Sequence, residues 1–269
     1  MTSDSEQVRS WFERFLADSG RTLLDFFRNI GAVSVLTSKA FRSLFTTRFD
    51  FRAFLYQVES LGVKSLGIGA ATSIFVGIVM AIQFAFSLEK FGARDSVGRI
   101  VGLSEARELA PALTALVVGS RIAAGITAEI GSMAVTEQLD AIRALGADPV
   151  RKLVVPRMLA GIVVIPLITC FALVLGVSSA MIVSSISFGI PMPFFITTAI
   201  DSVGMQDFAS GMGKTPFFGF IIAILGCYFG LNTSGGTEGV GKATTSSVVV
   251  VSITLLVADA ILTQLFLSL

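Results

Sequence analysis

"LGIGAATSIFVGIVMAIQFAFSL", Leu66 to Leu88, runs for 23 residues without a charged side chain. About 20 mainly apolar residues in a helix are enough to cross the hydrocarbon core of a bilayer. Four further stretches have that length or approach it, at about 109–130, 159–186, 216–231 and 248–267. The stretch at 159–186 is long enough to tilt or to extend beyond the bilayer. The composition agrees: 53% of the 269 residues are hydrophobic and 14% are charged, against roughly 25% charged in soluble domains. The sequence therefore predicts an all-α integral membrane protein with five spans. The N-terminus opens polar and shows no cleavable signal peptide.

Charge and composition exclude several functions. Twenty Lys and Arg against nineteen Asp and Glu leave a net charge of +1, which gives no field suited to nucleic acid. No histidine is present, so the commonest general base and metal ligand is missing. Cys170 and Cys227 lie in apolar runs, with no metal-ligand spacing, and read as small buried residues. Two glycine-lysine stretches imitate a phosphate loop. "GTEGVGKA", Gly236 to Ala243, puts Ala243 where a magnesium-binding hydroxyl is required, and "GMGKT", Gly211 to Thr215, has Phe208 at the first glycine position. Neither follows a strand, so nucleotide binding by this chain is rejected. Gly236 to Ala243 is expected to be a flexible turn.

Residues 1–60 have another character. Val8, Trp11, Phe12, Phe15 and Leu16 recur at helical spacing, opposite Arg9, Glu13, Arg14 and Asp18. Further phenylalanines, among them Phe41 and Phe54, are interleaved with Arg28, Lys39, Arg42, Arg48 and Arg52. A basic aromatic helix of this kind lies in the headgroup plane; a soluble helical hairpin is the other reading. With the N-terminus in the cytoplasm, the basic residues from Arg9 to Lys64, those from Arg143 to Arg157, and Lys242 fall inside. Only Lys90, Arg94, Arg99, Arg107 and Lys214 fall outside. The positive-inside rule favours this N-in topology.

Between the second and third spans lies "TEQLDAIRALGADPVRKLVVPR", Thr136 to Arg157. Leu139, Ile142 and Leu145 share one side at helical spacing, and Glu137, Asp140 and Arg143 are polar. Thr136 is suited to cap the helix, Gly146 to end it, and Asp148-Pro149 to start the next. The result is a short cytoplasmic helix at about 136–145, either a solvated connector or a knob that docks on a partner. Arg121, Glu129 and Asp259 lie deeper, where an unpaired charge is costly. They are expected to pair inside the bundle, with Asp259 as candidate partner for Arg121.

The run from Ala106 to Arg157 resembles the central signature of the MlaE/YrbE family of ABC-transporter permeases. The matching elements are Arg107-Glu108-Leu109 with Pro111, Gly119 with Arg121 and Gly125, and Ala128-Glu129-Ile130-Gly131. Glu137-Gln138, Asp148-Pro149 and Pro156-Arg157 complete the set. The resemblance continues more loosely through Asn232 and Gly241 to Asp259, and implies a permease domain over 61–269. It implies a homodimer in the bacterial inner membrane and a place in outer membrane lipid asymmetry. It makes the 136–145 helix a coupling helix, with Glu137, Gln138, Leu139, Asp140, Ile142 and Arg143 docking on an ABC ATPase. That partner would hold ATP and Mg²⁺, so this chain would bind no cofactor and would be no enzyme. A periplasmic MCE-domain hexamer and a STAS-domain subunit would complete the assembly. Phospholipid, or a sterol or other lipid, would pass a cavity with Arg107, Glu108 and Lys214 at its mouth and Ile74, Ile78 and Ile82 on its wall. A non-transporting membrane scaffold is the alternative from another class.

Overall fold

The structure, a computed structural model, describes residues 24, 27–44 and 50–268. The amphipathic pattern from Val8 to Leu16 lies outside the described residues. A first helix, α1, covers 27–44. It is followed by α2 (Phe51–Glu89), α3 (Val97–Ser104), α4 (Ala110–Val135), α5 (Gln138–Ala144) and α6 (Val155–Phe188). The chain ends with α7 (Met192–Ser202), α8 (Met205–Leu231) and α9 (Gly236–Ser268). No strand is formed among the described residues.

Among the described residues, five helical segments are long and apolar enough to cross a membrane: Phe51–Glu89, Arg94–Val135, Val150–Phe188, Met205–Leu231 and Gly236–Phe266. Each of the first four contains one of the apolar stretches and is longer than it, and α9 contains the fifth. Residues 51–60 therefore share one continuous helix with the first span. Gly236 to Ala243 is not a flexible turn as expected; it forms the first two turns of α9. Just beyond this stretch the Thr244 hydroxyl donates to the Val240 carbonyl at 2.7 Å.

Small residues decide how the helices pack. Along α2, Ser65, Gly69, Ser73, Gly77, Ala81 and Ala85 are buried at intervals of four, a stripe that lets backbones approach. Gly62, Gly69 and Gly77 face Val164, Ile168 and Gly176 in the same order, so α2 and α6 run parallel. The approach is closest at Gly77, where a Cβ would collide with the Gly176 carbonyl oxygen. Gly161 of α6 and Gly219 of α8 meet in the same way. Helix α4 is central and touches α2, α6, α8 and α9. Its buried Val118, Ile122, Ile126 and Ile130 form the core with Met158, Ile165, Phe218 and Ile222. The outward face of α9 keeps Val249, Ile253, Leu256 and Ile261 more than half exposed, as a lipid-facing surface requires.

Helix α1 is docked on the bundle through Leu36 and Ala40. Phe41 packs on Phe220 with ring centroids 5.8 Å apart, and the Tyr228 hydroxyl donates to Asn29 Oδ1 at 2.9 Å. The segment between α6 and α8, Phe188 to Ser210, contains α7, which buries Phe195 and Ala199 against Val97 and Val101 of α3.

Candidate functional site

Two groups of charged side chains lie at opposite ends of the bundle. The first begins with a local irregularity. Residues Glu105–Leu109 form a π-helical turn between α3 and α4, a feature frequent at functional sites. Across it the side chains change direction. Glu105, 2% exposed, lies against Gly176 of α6, within 3.2 Å of where a Cβ would stand. Two and three residues later, Arg107 and Glu108 reach α8 instead. Arg107 Nε donates to Asp207 Oδ1 at 2.7 Å.

Lys214 is the centre of this group. The side chain is 1% exposed, and its ammonium donates to Glu108 Oε1 and to Thr263 Oγ1, both at 2.7 Å. The Arg107 carbonyl at 3.3 Å accepts as well, and Asp259 Oδ1 lies 3.5 Å away. The sequence reading placed Arg107, Glu108 and Lys214 together at a membrane face, and the structure brings them together. It adds Asp207, Asp259 and Thr263, which give the group three carboxylates to two cations. Arg107 and Glu108 keep 42% of their side-chain surface exposed, so the group opens to its surroundings on one side. Ile74 and Ile78 are half-buried on α2 beside the small-residue stripe, and Ile82 is 37% exposed.

The expected pairing of the deep charges is overturned. Asp259 meets Lys214, not Arg121. Arg121 donates instead to Ser65 Oγ of α2 at 2.7 Å. Glu129 pairs with Arg157 at 2.7 Å, the guanidinium 3% exposed and also bonded to the Leu153 carbonyl at 2.9 Å. Helical spacing shows which residues share a face of one helix, but pairing across helices depends on register, which it does not carry. Arg157 was counted as a loop charge; its position one turn into a very apolar helix was the signal that it is buried.

The second group surrounds α5. Helix α4 ends at Val135, and the chain turns at Glu137, whose φ of +59° lies in the left-handed region. Thr136 does not cap α5 as expected. Its hydroxyl donates backward to the Ser132 carbonyl at 2.8 Å, and Glu137 occupies the cap position. Gly146, at φ +76°, ends the helix as expected. Asp148 Oδ1 then accepts from Val150 N at 2.9 Å and starts the next segment. Leu139 is 4% exposed and anchors α5, and Ile142 is half-buried. Leu145 departs from that side and is 86% exposed. Glu137, Gln138, Asp140 and Arg143 all face outward, and Asp140 and Arg143 pair at 2.7 Å. Behind α5, the Glu129–Arg157 pair ties α4 to α6.

Residues 54–265 match the family model described as "Permease MlaE". A probable ABC transporter permease protein of Synechocystis sp. is 36% identical over 247 residues, covering 92% of this chain and 94% of the relative. Another, of Rickettsia felis, is 35% identical over 247 residues, at 92% and 95% coverage. The chloroplastic protein trigalactosyldiacylglycerol 1 of Arabidopsis thaliana is 34% identical over 235 residues, at 87% and 67%. A multi-pass helical bundle with these relatives is the permease of an ABC transporter. The chain belongs to the MlaE permease family.

Proposed function

We propose that the chain is the phospholipid-moving subunit of its transporter, passing lipid between the inner membrane and a periplasmic MCE-domain hexamer. It works as a homodimer with its N-terminus in the cytoplasm. ATP and Mg²⁺ belong to a separate ABC ATPase seated on α5, accompanied by a STAS-domain subunit. The observation that carries this reading is the separation of the two charged groups. α8 puts Lys214 and Leu231 seventeen residues apart, about 26 Å along a helix.

At one end Arg107 presents a half-exposed guanidinium, with a geometry suited to a lipid phosphate. The nearby Lys214 ammonium is fully occupied by protein oxygens, so its role is to hold Glu108 and Asp259 in place. At the other end α5 offers Glu137, Asp140 and the exposed Leu145 to a cytoplasmic surface, a polar rim around an apolar knob. For ATP hydrolysis to move lipid, the ATPase must favour one arrangement of the spans over another. A short helix clamped between two spans is suited to transmit that preference. The name of the Arabidopsis relative is that of a galactolipid, which supports a lipid cargo. The test is the complex of this chain with its ATPase in nanodiscs: bound phospholipid by mass spectrometry and ATPase activity that depends on lipid are expected. Absence of both returns the chain to a scaffold that only anchors a cytoplasmic partner.

A further inference from the structure

A large cleft lies away from the Lys214 group, at the α5 end. It has a volume of about 1200 Å³ and opens between α1, the start of α2, the 146–152 connection and the end of α8. Small-molecule pockets typically occupy roughly 300–1,000 Å³. Five cations line it: Lys39, Arg42, Arg143, Arg151 and Lys152. The two carboxylates on its wall are already engaged at helix starts. Asp50 Oδ1 accepts from Ala53 N at 3.1 Å, and Asp148 Oδ1 from Val150 N at 2.9 Å. Arg143 is held by Asp140. Lys39 and Lys152 are exposed and form no ion pair among the described residues.

The floor of the cleft is apolar, made by the buried Leu36 and Val155 and the half-buried Leu231. Its height in the bilayer follows from the helix ends around it. Ala53 near the start of α2, Val155 at the start of α6 and Leu231 at the end of α8 all border it. Leu231 ends the fourth apolar stretch and Val155 lies one turn ahead of the third, so the cleft lies in the headgroup layer, with Ala53 on the part of α2 that precedes its apolar run. A cationic rim above an apolar floor at that depth matches an amphiphile with an anionic head.

We infer that this cleft binds an anionic phospholipid of the surrounding leaflet, its phosphate between Lys39 and Lys152 and the upper part of an acyl chain on Leu36 and Val155. The site is distinct from the transport path and does not depend on the proposed cargo. Because one wall is α1 and another is the connection after α5, an occupied cleft joins the N-terminal helix to the coupling corner. Lipid headgroup charge would thereby bear on coupling.

The test uses the full-length chain in nanodiscs of phosphatidylcholine, with a trace of photoactivatable phosphatidylglycerol or photoactivatable phosphatidylcholine. The expected result is labelling of residues 32–44 and 146–156 by the glycerol lipid, several-fold above that by the choline lipid. K39Q/K152Q should lower this labelling to the level of the choline lipid, two cations that attract an anionic headgroup having been removed. K39R/K152R should retain it, which separates charge from folding. Equal labelling by both lipids, or unchanged labelling of K39Q/K152Q, would overturn the inference. Competition by millimolar inorganic phosphate would also overturn it, by making the site one for free phosphate.

Discussion

Lys214→Met removes the only cation within 4 Å of Glu108 and Asp259 among the described residues while preserving most of the side-chain volume. Three donated bonds disappear, to Glu108 and Thr263 at 2.7 Å and to the Arg107 carbonyl at 3.3 Å. Removing one partner of a fully buried ion pair costs about 3–5 kcal/mol. Here the abandoned carboxylates are 42% and 21% exposed, so water or headgroups recover part of that loss. The expected cost falls to about 2 kcal/mol, or roughly 5 °C in Tm for a chain of this size. The assay is thermal unfolding of the purified chain in nanodiscs, followed by scanning fluorimetry. A companion variant, K214M/E108Q/D259N, neutralises Lys214 and both of its carboxylates and should regain more than half of the loss, because no charge is then left without its partner. If K214M melts with the wild type, Lys214 is not what holds α4, α8 and α9 together at this end. If the triple variant melts lower than K214M, the charges are not the reason.

Four further outcomes are expected. E137K/D140K should release the ATPase or abolish lipid-stimulated hydrolysis while the chain stays inserted, measured by co-purification and phosphate release; unchanged binding would make α5 a mere connector. E137G removes the left-handed strain of about 1 kcal/mol that a side chain bears there, so the isolated chain should melt no lower than wild type while ATPase binding weakens. Gly77→Ala forces a methyl group against the Gly176 carbonyl and should destabilise by about 1–3 kcal/mol; cysteine cross-linking across α2 and α6 would show their separation. Thr127 donates to the Gly226 carbonyl at 3.0 Å and lies 2.9 Å from Ser247 Oγ. T127V should therefore cost about 0.6 kcal/mol, the average for such bonds between membrane helices, and a loss beyond 2 kcal/mol in chemical denaturation would contradict that account.

The spans were legible because an uninterrupted apolar run has one economical destination, a bilayer. Their ends were not. The first turns of α8 carry Asp207 and Lys214, which read as loop residues until α4 and α9 are seen to supply their partners. The first turns of α9, "GTEGVGKA", contain three glycines, and their helicity comes from continuity with the apolar run that follows. Arg107, Glu108 and Lys214 could be grouped from the sequence because each stands at the same end of its span. Asp259 was assigned to the wrong partner, and Arg157 to no partner, because the vertical offset of neighbouring helices is set by glycine contacts such as Gly161 with Gly219. The π turn at Glu105–Leu109 left no mark on the periodicity, yet it separates the direction of Glu105 from that of Arg107 and Glu108.

On the proposed docking of an ATPase, the corner at α5 would act as a crank. Its two bends, at Glu137 and Gly146, are fixed in a conformation that most side chains avoid, so neither opens into a continuous helix without a change of backbone region. The Glu129–Arg157 clamp stands behind them and prevents the two shafts, α4 and α6, from splaying. On the proposed docking, a thrust applied to α5 would reach α4 and α6 together, and the far arm of that lever would be the π turn beside Arg107 and Glu108.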